Sequence, residues 1–287
     1  MEVVTKIVQL KSIVSRVKGE GKTIGLVPTM GYLHEGHLTL AKEARKENDF
    51  VVMSIFVNPT QFGPNEDFLS YPRDLERDKR LAESASVDVI FAPSVEEMYP
   101  TNGGISIHAG RQSEILCGAS RPGHFDGVLQ VVTKLFHLAE PNRAYFGQKD
   151  AQQVAIVQTL VRDYNFPLEI RTVPIVREED GLAKSSRNVY LSKLEREEAR
   201  AIYEALQIAK ETFLSSYHVK MALDEAKAYI LSKTTGEIDY LELLSYPDLQ
   251  PVTEDTKQFL LATAVYIGKT RLIDNIIFSI EGETANV

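Results

Sequence analysis

A short loop between a predicted strand and a predicted helix constrains the fold of this chain more than any other segment. The apolar run 23–27 is bounded by Gly21 and Pro28 and predicts a buried strand. The segment 38–46 has the spacing of an amphipathic helix. The loop between them reads Pro28-Thr29-Met30-Gly31-Tyr32-Leu33-His34-Glu35-Gly36-His37. Unpaired N–H groups and the helix dipole attract anions at such a junction, so the loop predicts a phosphate site in an α/β fold.

Three residues of this loop have the chemistry that a nucleotide site needs. The imidazole N–H groups of His34 and His37 can donate hydrogen bonds to phosphate oxygens. Gly36 has no Cβ, so a base or a ribose can lie against its backbone. The pattern His-x-Gly-His at a first strand-to-helix turn resembles that of the nucleotidyl-transferring α/β enzymes, which include class I aminoacyl-tRNA synthetases and cytidylyltransferases.

Two other interpretations of the histidine pair are less favoured. His34 and His37 are three residues apart and could bind a metal from one helix face, but the loop has no Cys or Asp as a third ligand. The zinc signature His-Glu-x-x-His also differs, because its histidines are four residues apart. The second alternative is a surface turn with incidental histidines, since two of the six histidines within four residues is a mild enrichment.

Composition limits the partners that a phosphate site in this chain can serve. With 287 residues the chain can bury a large core in one or two domains. The formal net charge of −8 argues against nucleic-acid binding, whereas a local cluster of cations can still hold a small anion. The single Cys117 excludes an intramolecular disulfide and fits a reducing compartment. Since residues 1–21 lack the apolar core of a signal peptide and no apolar run is long enough to span a membrane, we expect a cytoplasmic protein without membrane contact.

Strands and helices are predicted to alternate over residues 1–176. The apolar patterns predict strands at 23–27, 49–57, 87–93, 105–109, 144–147 and 168–176, and helices at 3–17, 38–46, 74–84, 123–138 and 151–162. The strand at 105–109 is expected to be a hairpin partner outside the main sheet. The other elements predict an α/β domain with a Rossmann-like parallel sheet and helices on both faces. Ligands of such sheets bind beyond the carboxyl ends of the strands.

The pattern changes after Val176, where we place a domain boundary. Helices are predicted at 193–215 and 219–232, followed by strands at 238–244, 259–267 and 270–277. Gly268-Lys269 predicts a tight turn between the last two strands. Residues 177–287 are therefore expected to form a smaller α+β lid domain.

Three further segments bring polar groups to the predicted ligand-binding edge. Asn58 and Gln61 follow the second strand, and their amides can donate to and accept from a hydroxy acid. Gly147-Gln148-Lys149-Asp150 is a second strand-to-helix turn, whose lysine is expected on phosphate and whose aspartate caps the helix or meets a ribose. Lys184-Ser185-Ser186-Arg187-Asn188 predicts a loop that closes over a triphosphate. Taken singly, the first and third of these segments are more typical of ordinary polar loops.

Six motifs occur together in one order along the chain. They are Pro-Thr-Met-Gly-x-Leu-His-x-Gly-His, Phe-Val-Asn-Pro-x-Gln-Phe-Gly, Tyr71-Pro72-Arg73, Arg121-Pro122-Gly123-His124-Phe125-x-Gly127-Val128, Phe146-Gly147-x-Lys149-Asp150-x-Gln152-Gln153 and Ser185-Ser186-Arg187-Asn188. This set resembles the pantothenate synthetase (pantoate–β-alanine ligase) family. The resemblance covers nearly the whole chain and is densest from Pro28 to Leu191.

The resemblance implies a ligase that works in two steps. ATP and pantoate give pantoyl adenylate and pyrophosphate, and β-alanine then attacks the activated carbonyl to give pantothenate and AMP. A carboxylate is a poor acyl donor, and adenylation supplies the leaving group that it lacks. The resemblance also implies Mg²⁺ as the companion of ATP and a homodimer, while the sequence assigns no protein ligand to the metal.

The resemblance also implies which residues form the site. It places ATP against two groups of residues, namely Met30, Gly31, Tyr32, Leu33, His34, Glu35, Gly36 and His37, and Gly147, Gln148, Lys149, Asp150, Val176, Lys184, Ser185, Ser186 and Arg187. It implies catalytic roles for His34, His37, Lys149 and Arg187. It implies that Gln61 and Gln153 hold pantoate, and Asn58 is a further candidate for substrate binding.

One position departs from the family pattern, and two alternative functions remain open at this point. Lys184 stands where the family usually has Met, and we expect it to add affinity for phosphate unless it is solvated. The first alternative is a nucleotidyltransferase such as a cytidylyltransferase, which would retain the nucleotide in its product. The second is an inactive nucleotide-binding protein, which the presence of both histidines with Lys149 and Arg187 disfavours.

Overall fold

A six-stranded parallel sheet organises the larger part of the protein. This computed structural model describes residues 1–64, 66–101 and 104–280. The strands lie in the order β1-β4-β3-β2-β5-β6, and every pairing between neighbours is parallel. Their bounds are Glu2–Val4 (β1), Ile24–Thr29 (β2), Phe50–Ile55 (β3), Val89–Phe91 (β4), Arg143–Gly147 (β5) and Glu169–Val173 (β6). The predicted parallel α/β sheet is confirmed.

Helices cover both faces of this sheet. Their bounds are Ile7–Gly19 (α1), Glu35–Glu47 (α2), Leu75–Ser84 (α3), Val95–Met98 (α4), Cys117–Ser120 (α5), His124–Ala139 (α6) and Ala151–Asp163 (α7). Leu26 and Val52 lie in one apolar cluster with side chains of α1, α6 and α7. Val27 and Met53, which point the other way, lie in a second cluster with side chains of α2 and α3. The central strands are therefore apolar on both faces, as buried parallel strands are.

A second, antiparallel sheet follows in the C-terminal part. It has the order β7-β8-β9, and its strands are Glu237–Ser245 (β7), Gln258–Ile267 (β8) and Thr270–Ser279 (β9). Three helices precede it, Lys193–Glu198 (α8), Arg200–Ser216 (α9) and Val219–Lys233 (α10). Apolar side chains of α9 and α10 pack on one face of the sheet, around Phe259 and Leu261. Leu260 and Ala262 on the other face contact Ala151 and Ala155 of α7. The smaller α+β part is confirmed, and the boundary at Val176 stays a prediction.

Three sequence-based helix boundaries differ from the structure. The helix predicted from residue 3 begins at Ile7, because residues 2–4 form the edge strand β1 on β4. The helix predicted from residue 38 begins at Glu35, which makes His34 its N-cap. The helix predicted at 193–215 is divided at Ala199 into α8 and α9.

The strand predicted at 105–109 is wrong. These residues are described but pair with no strand. The side chain of Asp126 accepts hydrogen bonds from the Ala109 N–H (3.0 Å) and from His108 Nδ1 (2.7 Å). The carboxylate of Asp126 therefore accepts the backbone hydrogen bond that the carbonyl of a neighbouring strand would otherwise accept. Among the helices that the structure describes, none is long and apolar enough to cross a membrane.

The loop after β2 is held in shape by a buried carboxylate. Asp78 on α3 is 1% exposed, and its two oxygens accept hydrogen bonds from the N–H groups of Tyr32 and Leu33, both at 2.7 Å. Gly31 and Tyr32 have positive φ angles of 85° and 50°. A Cβ on Gly31 would lie 2.9 Å from Ile55 Cγ2, so the turn leaves no room for one. Asp78 thus fixes the backbone that leads into α2.

We predict that Asp78→Asn destabilises the protein. The substituted NH₂ group cannot accept a hydrogen bond, so a buried N–H of the loop loses its partner, at a cost of about 1–3 kcal/mol. Denaturant unfolding would measure the loss. Asp74→Asn is the matched control, because Asp74 caps the same helix and Asn caps equally well. Equal stability of the two variants would contradict this role of Asp78.

Candidate active site

The carboxyl ends of β2, β3 and β5 open into one cavity. The register of β2 on β3 runs from Ile24 opposite Phe50 to Thr29 opposite Ile55, so both strands end level. The loops that follow them, and the turn after β5, therefore meet at one edge of the sheet. The predicted site residues that line this cavity are Met30, His34, Gly36, His37, Asn58, Gln61, Gly147, Lys149, Asp150, Gln153, Val176, Lys184, Ser185, Ser186 and Arg187.

The other five predicted residues do not line it, for reasons that their contacts show. Leu33 is fully buried in the core, and Gly31 and Tyr32 form the turn that Asp78 holds. Glu35 is ion-paired with Lys184, and Gln148 donates to Asn275. The loop therefore contributes to the cavity through Met30, the two histidines and Gly36.

The two histidines form the start of α2 together. His34 Nδ1 accepts a hydrogen bond from the Gly36 N–H at 3.1 Å, and His37 Nδ1 accepts one from the His34 N–H at 3.3 Å. Their ring centroids are 4.0 Å apart. Each ring thus caps the helix through Nδ1. In the neutral form the proton of each ring lies on Nε2, so each ring can offer an Nε2–H donor to the cavity.

Burial keeps both rings neutral. It lowers the pKa of His34 to about 2, with the neighbouring His37 and Lys149 adding to the effect. It lowers the pKa of His37 to about 4, with Lys149 again adding to the effect. Near neutral pH both histidines are therefore donors without a charge, and they line the cavity together with Lys149.

The amide of Asn58 is occupied by protein groups and holds Gln61. Asn58 is 1% exposed, and its Oδ1 accepts from Tyr99 Oη at 2.8 Å and from Thr60 Oγ1 at 2.9 Å. Its Nδ2 donates to Gln61 Oε1 and to the Gly127 carbonyl, both at 3.1 Å. The Nε2 group of Gln61 donates to the weak acceptor Met30 Sδ at 3.4 Å.

Helix α6 meets this turn backbone to backbone. A Cβ on Gly127 would overlap the Thr60 carbonyl and come within 2.6 Å of the Gln61 nitrogen. The same helix supplies His124, whose Nδ1 donates to the Gln61 carbonyl at 2.7 Å. Burial and the nearby Arg121 lower the pKa of His124 to about 4. Gln61 is thus fixed at its side chain and at its main chain.

The cations of the loop 177–187 and its surroundings have carboxylate partners. Lys184 contacts Glu35 at the start of α2 and lies 3.6 Å from Glu178. The bond to Glu35 raises the pKa of Lys184. Arg187 donates to both oxygens of Asp67, at 2.9 and 3.1 Å.

A second arginine of the cavity is paired in the same way. Arg121 donates to both oxygens of Glu66, at 2.6 Å each, and contacts His124 Nε2 at 3.0 Å. Glu66 and Asp67 are neighbours in sequence, so one segment supplies carboxylates to two arginines. The carboxylates of Glu66 and Asp67 thus bind two guanidinium groups, whose geometry also suits a phosphate or another carboxylate.

Several residues of the site were not singled out from the sequence. Arg121, His124 and Tyr71 line the cavity, and all three lie in motifs that carried the family resemblance. Asp67 and Asp78 act through partners far away in sequence, and no local pattern marks them. Within the described residues no group of three or more His, Cys, Asp or Glu side chains has an arrangement that could hold a metal ion.

Comparisons with known proteins agree with one another. A family model described as pantoate-beta-alanine ligase matches residues 2–277. A pantothenate synthetase of Lysinibacillus sphaericus is 72% identical over 281 residues, which are 98% of this chain and 99% of that protein. The crystal structure of the Thermus thermophilus pantothenate synthetase has a TM-score of 0.91 at 45% identity and covers 96% of this chain and 99% of its own.

A further solved structure bears on ligands. It is pantoate-beta-alanine ligase from Francisella tularensis, complexed with beta-gamma ATP and beta-alanine, with a TM-score of 0.80, 38% identity and coverage of 99% of both chains. The family match over most of the chain and the high identity to relatives of equal length decide the assignment. The chain belongs to the pantoate–β-alanine ligase (pantothenate synthetase) family.

Proposed function

We propose that this protein joins pantoate to β-alanine with ATP, through pantoyl adenylate, and releases pyrophosphate and AMP. The observation that supports this most is the pair of neutral histidines that lines one cavity with Lys149 and Gln61. The Francisella relative was solved in complex with beta-gamma ATP and beta-alanine. The nucleotidyltransferase alternative is not favoured by the family assignment.

In the first step a carboxylate oxygen of pantoate attacks the α-phosphorus, and the bond to pyrophosphate breaks. No proton has to be removed, so the residues must stabilise charge on the phosphoryl oxygens. The Nε2–H groups of His34 and His37 can donate to those oxygens without bringing a charge of their own. Lys149 supplies the positive charge beside them. We therefore assign stabilisation, not proton abstraction, to the histidines.

In the second step the β-alanine nitrogen attacks the acyl carbon, and the bond to AMP breaks. The amine loses a proton in forming the amide, and AMP leaves with the oxygen that pantoate supplied. The mixed anhydride must be kept from water until the amine arrives. We propose that Gln61 and Gln153 orient pantoate, and that Asn58 acts through Gln61 because its own amide is engaged.

Binding of the polyphosphate requires the loop cations to change partners. In the structure Lys184 is paired with Glu35, and Arg187 with Asp67. We propose that phosphate oxygens replace these carboxylates, while Ser185 and Ser186 contribute from the same loop. Val176 lines the same cavity, and its backbone is proposed to contact adenine.

Mg²⁺ is proposed to enter with the nucleotide. Within the described residues no cluster of His, Cys, Asp or Glu side chains could hold it, so phosphate oxygens and water are proposed to supply its ligands. Bound in this way, Mg²⁺ would neutralise phosphate charge. We also propose, on the family resemblance, that Asp150 contacts the ribose, that the protein is a homodimer and that it works in the cytoplasm.

The reaction order is tested by pyrophosphate exchange. We predict that pantoate alone supports exchange of labelled pyrophosphate into ATP, because adenylation precedes attack by the amine. AMP should appear in quantity once β-alanine is added. Omitting each substrate in turn provides the controls. Exchange that strictly needs β-alanine would contradict the adenylate intermediate, and a product that retains the nucleotide would indicate a nucleotidyltransferase.

The role of His37 is tested by two substitutions. We predict that His37→Ala lowers the rate of adenylate formation about 10²- to 10³-fold, the usual effect of removing one such donor. His37→Gln should recover part of the loss, because its amide N–H can still donate. Single-turnover adenylation and thermal unfolding should be measured for both.

His218→Ala is the matched control for this pair. His218 caps α10 through Nδ1, which accepts from the Met221 N–H at 3.2 Å, and it does not line the cavity. This substitution removes a histidine cap without touching the proposed chemistry. A normal adenylation rate in His37→Ala would remove His37 from the site.

The role of Lys184 is tested by restoring the usual family residue. We predict that Lys184→Met raises the KM for ATP about two- to fivefold, since a partly exposed ion pair is worth up to about 1 kcal/mol. The difference from the unmodified protein should shrink as salt is added. Lys46→Met, at an exposed lysine paired with Glu43, is the control. An unchanged KM at low salt would show that Lys184 does not reach the phosphates.

A further inference from the structure

A buried amide on the small sheet bonds to the turn that carries Lys149. Asn275 lies in β9 and is 3% exposed. Its Nδ2 donates to the carbonyl oxygens of Gln148 and Lys149, both at 3.0 Å, and its Oδ1 accepts from Gln148 Nε2 at 3.3 Å. One side chain of the C-terminal part thus makes three hydrogen bonds to two consecutive residues of the parallel-sheet part.

The turn that Asn275 contacts has little internal support. Residues Gln148–Asp150 form a single 3₁₀ turn between β5 and α7. Such turns have poorer hydrogen-bond geometry than an α-helix and take their shape from their surroundings. The carbonyls of residues 148 and 149 flank the Cα of Lys149 along the chain. Holding both of them fixes the direction in which the Lys149 side chain leaves the backbone.

The preceding residue of β9, Asp274, binds Arg177 at the base of the loop 177–187. Asp274 is 4% exposed and accepts two hydrogen bonds from Arg177, at 2.6 and 2.9 Å. Arg177 also donates to the Gly181 carbonyl at 3.0 Å and to the Asn275 carbonyl at 3.3 Å. Two adjacent residues of β9 therefore hold both the turn of Lys149 and the base of the loop that carries Lys184 and Arg187.

We propose that Asn275 is a positioning residue for adenylation, which sets the place of Lys149 relative to the loop 177–187. The proposal rests on the proposed role of Lys149 on the phosphates. Asn275 does not line the cavity of the two histidines but an adjoining one that shares Lys149 and Arg187 with it, and its side-chain amide holds the backbone of Gln148 and Lys149. Small displacements of a catalytic group are costly, because the reacting atoms must be aligned to within a fraction of an ångström.

The first test compares two buried asparagines. We expect Asn275→Ala to lower pantoate-dependent pyrophosphate exchange about 10- to 100-fold, mainly in kcat. Asn48→Ala is the matched control, because Asn48 is 5% exposed and its Nδ2 donates to the Ala44 carbonyl and to Tyr145 Oη, both at 2.8 Å. It lies at the amino-terminal edge of the sheet. We expect Asn48→Ala to lose about as much stability as Asn275→Ala and to keep a normal rate of exchange.

A second variant covers the case in which Asn275→Ala does not fold. Asn275→Asp has nearly the same volume and keeps the packing, but it replaces the donor by an oxygen that faces two carbonyl oxygens. We expect it to lose exchange at least as strongly as the alanine variant. Normal exchange in a folded Asn275 variant, or an equal loss in Asn48→Ala, would overturn the proposal.

A double-mutant cycle separates positioning from general structure. If Asn275 acts through Lys149, then Asn275→Ala should change exchange by less than about twofold when Lys149→Ala is already present. If Asn275→Ala lowers exchange by the same factor with and without Lys149→Ala, the proposal is overturned. Normal exchange in Lys149→Ala alone would also overturn it, by removing the group that is positioned. Absence of exchange in the unmodified protein would instead contradict the proposed function.

Discussion

The parallel pairing of β2 with β3 is the constraint on which the site depends. Six consecutive residue pairs place the ends of the two strands level at Thr29 and Ile55. The histidine loop and the Asn58–Gln61 turn therefore begin side by side, although His37 and Gln61 are 24 positions apart in sequence. Neither loop alone could bring the two histidines and the amide of Gln61 into one cavity. Both faces of these strands are buried, so a shift in register would disrupt the packing of apolar side chains in both clusters and is disfavoured.

Burial then gives the polar residues of this edge their chemical character. It removes the charge from His34 and His37 by lowering the pKa of both rings, and their contacts at Nδ1 leave the Nε2–H groups as donors. Positive charge comes from Lys149 and from loop residues that are paired with carboxylates in the structure. The formal charge of −8 thus coexists with a local cluster of cations around the cavity, of which Lys184 and Arg187 are paired with carboxylates in the structure.

Local sequence patterns were enough to predict the main elements of the fold and most of the residues that line the cavity. Strand and helix periodicity located β2, α2 and the parallel sheet, and the family motifs named most of the residues that line the cavity. The sequence did not reveal Asp78 under the histidine loop, Asp67 on Arg187 or Asn275 behind Lys149. Each of these contacts joins residues at least 45 positions apart, and each depends on how whole elements pack. The strand predicted at 105–109 failed for the same reason, since alternation alone does not say whether a partner strand is present.

The contact between Gly127 and the Thr60 carbonyl has a mechanical consequence. Most helix-to-loop contacts are made by side chains, which can change rotamer and absorb small movements. Here the main chain of α6 lies directly against the main chain of the turn, with a hydrogen bond from Asn58 to the Gly127 carbonyl beside it. A shift of the helix axis would therefore be transmitted to Gln61 almost undiminished. The position of the Gln61 main chain is therefore set by the packing of α6 against the turn.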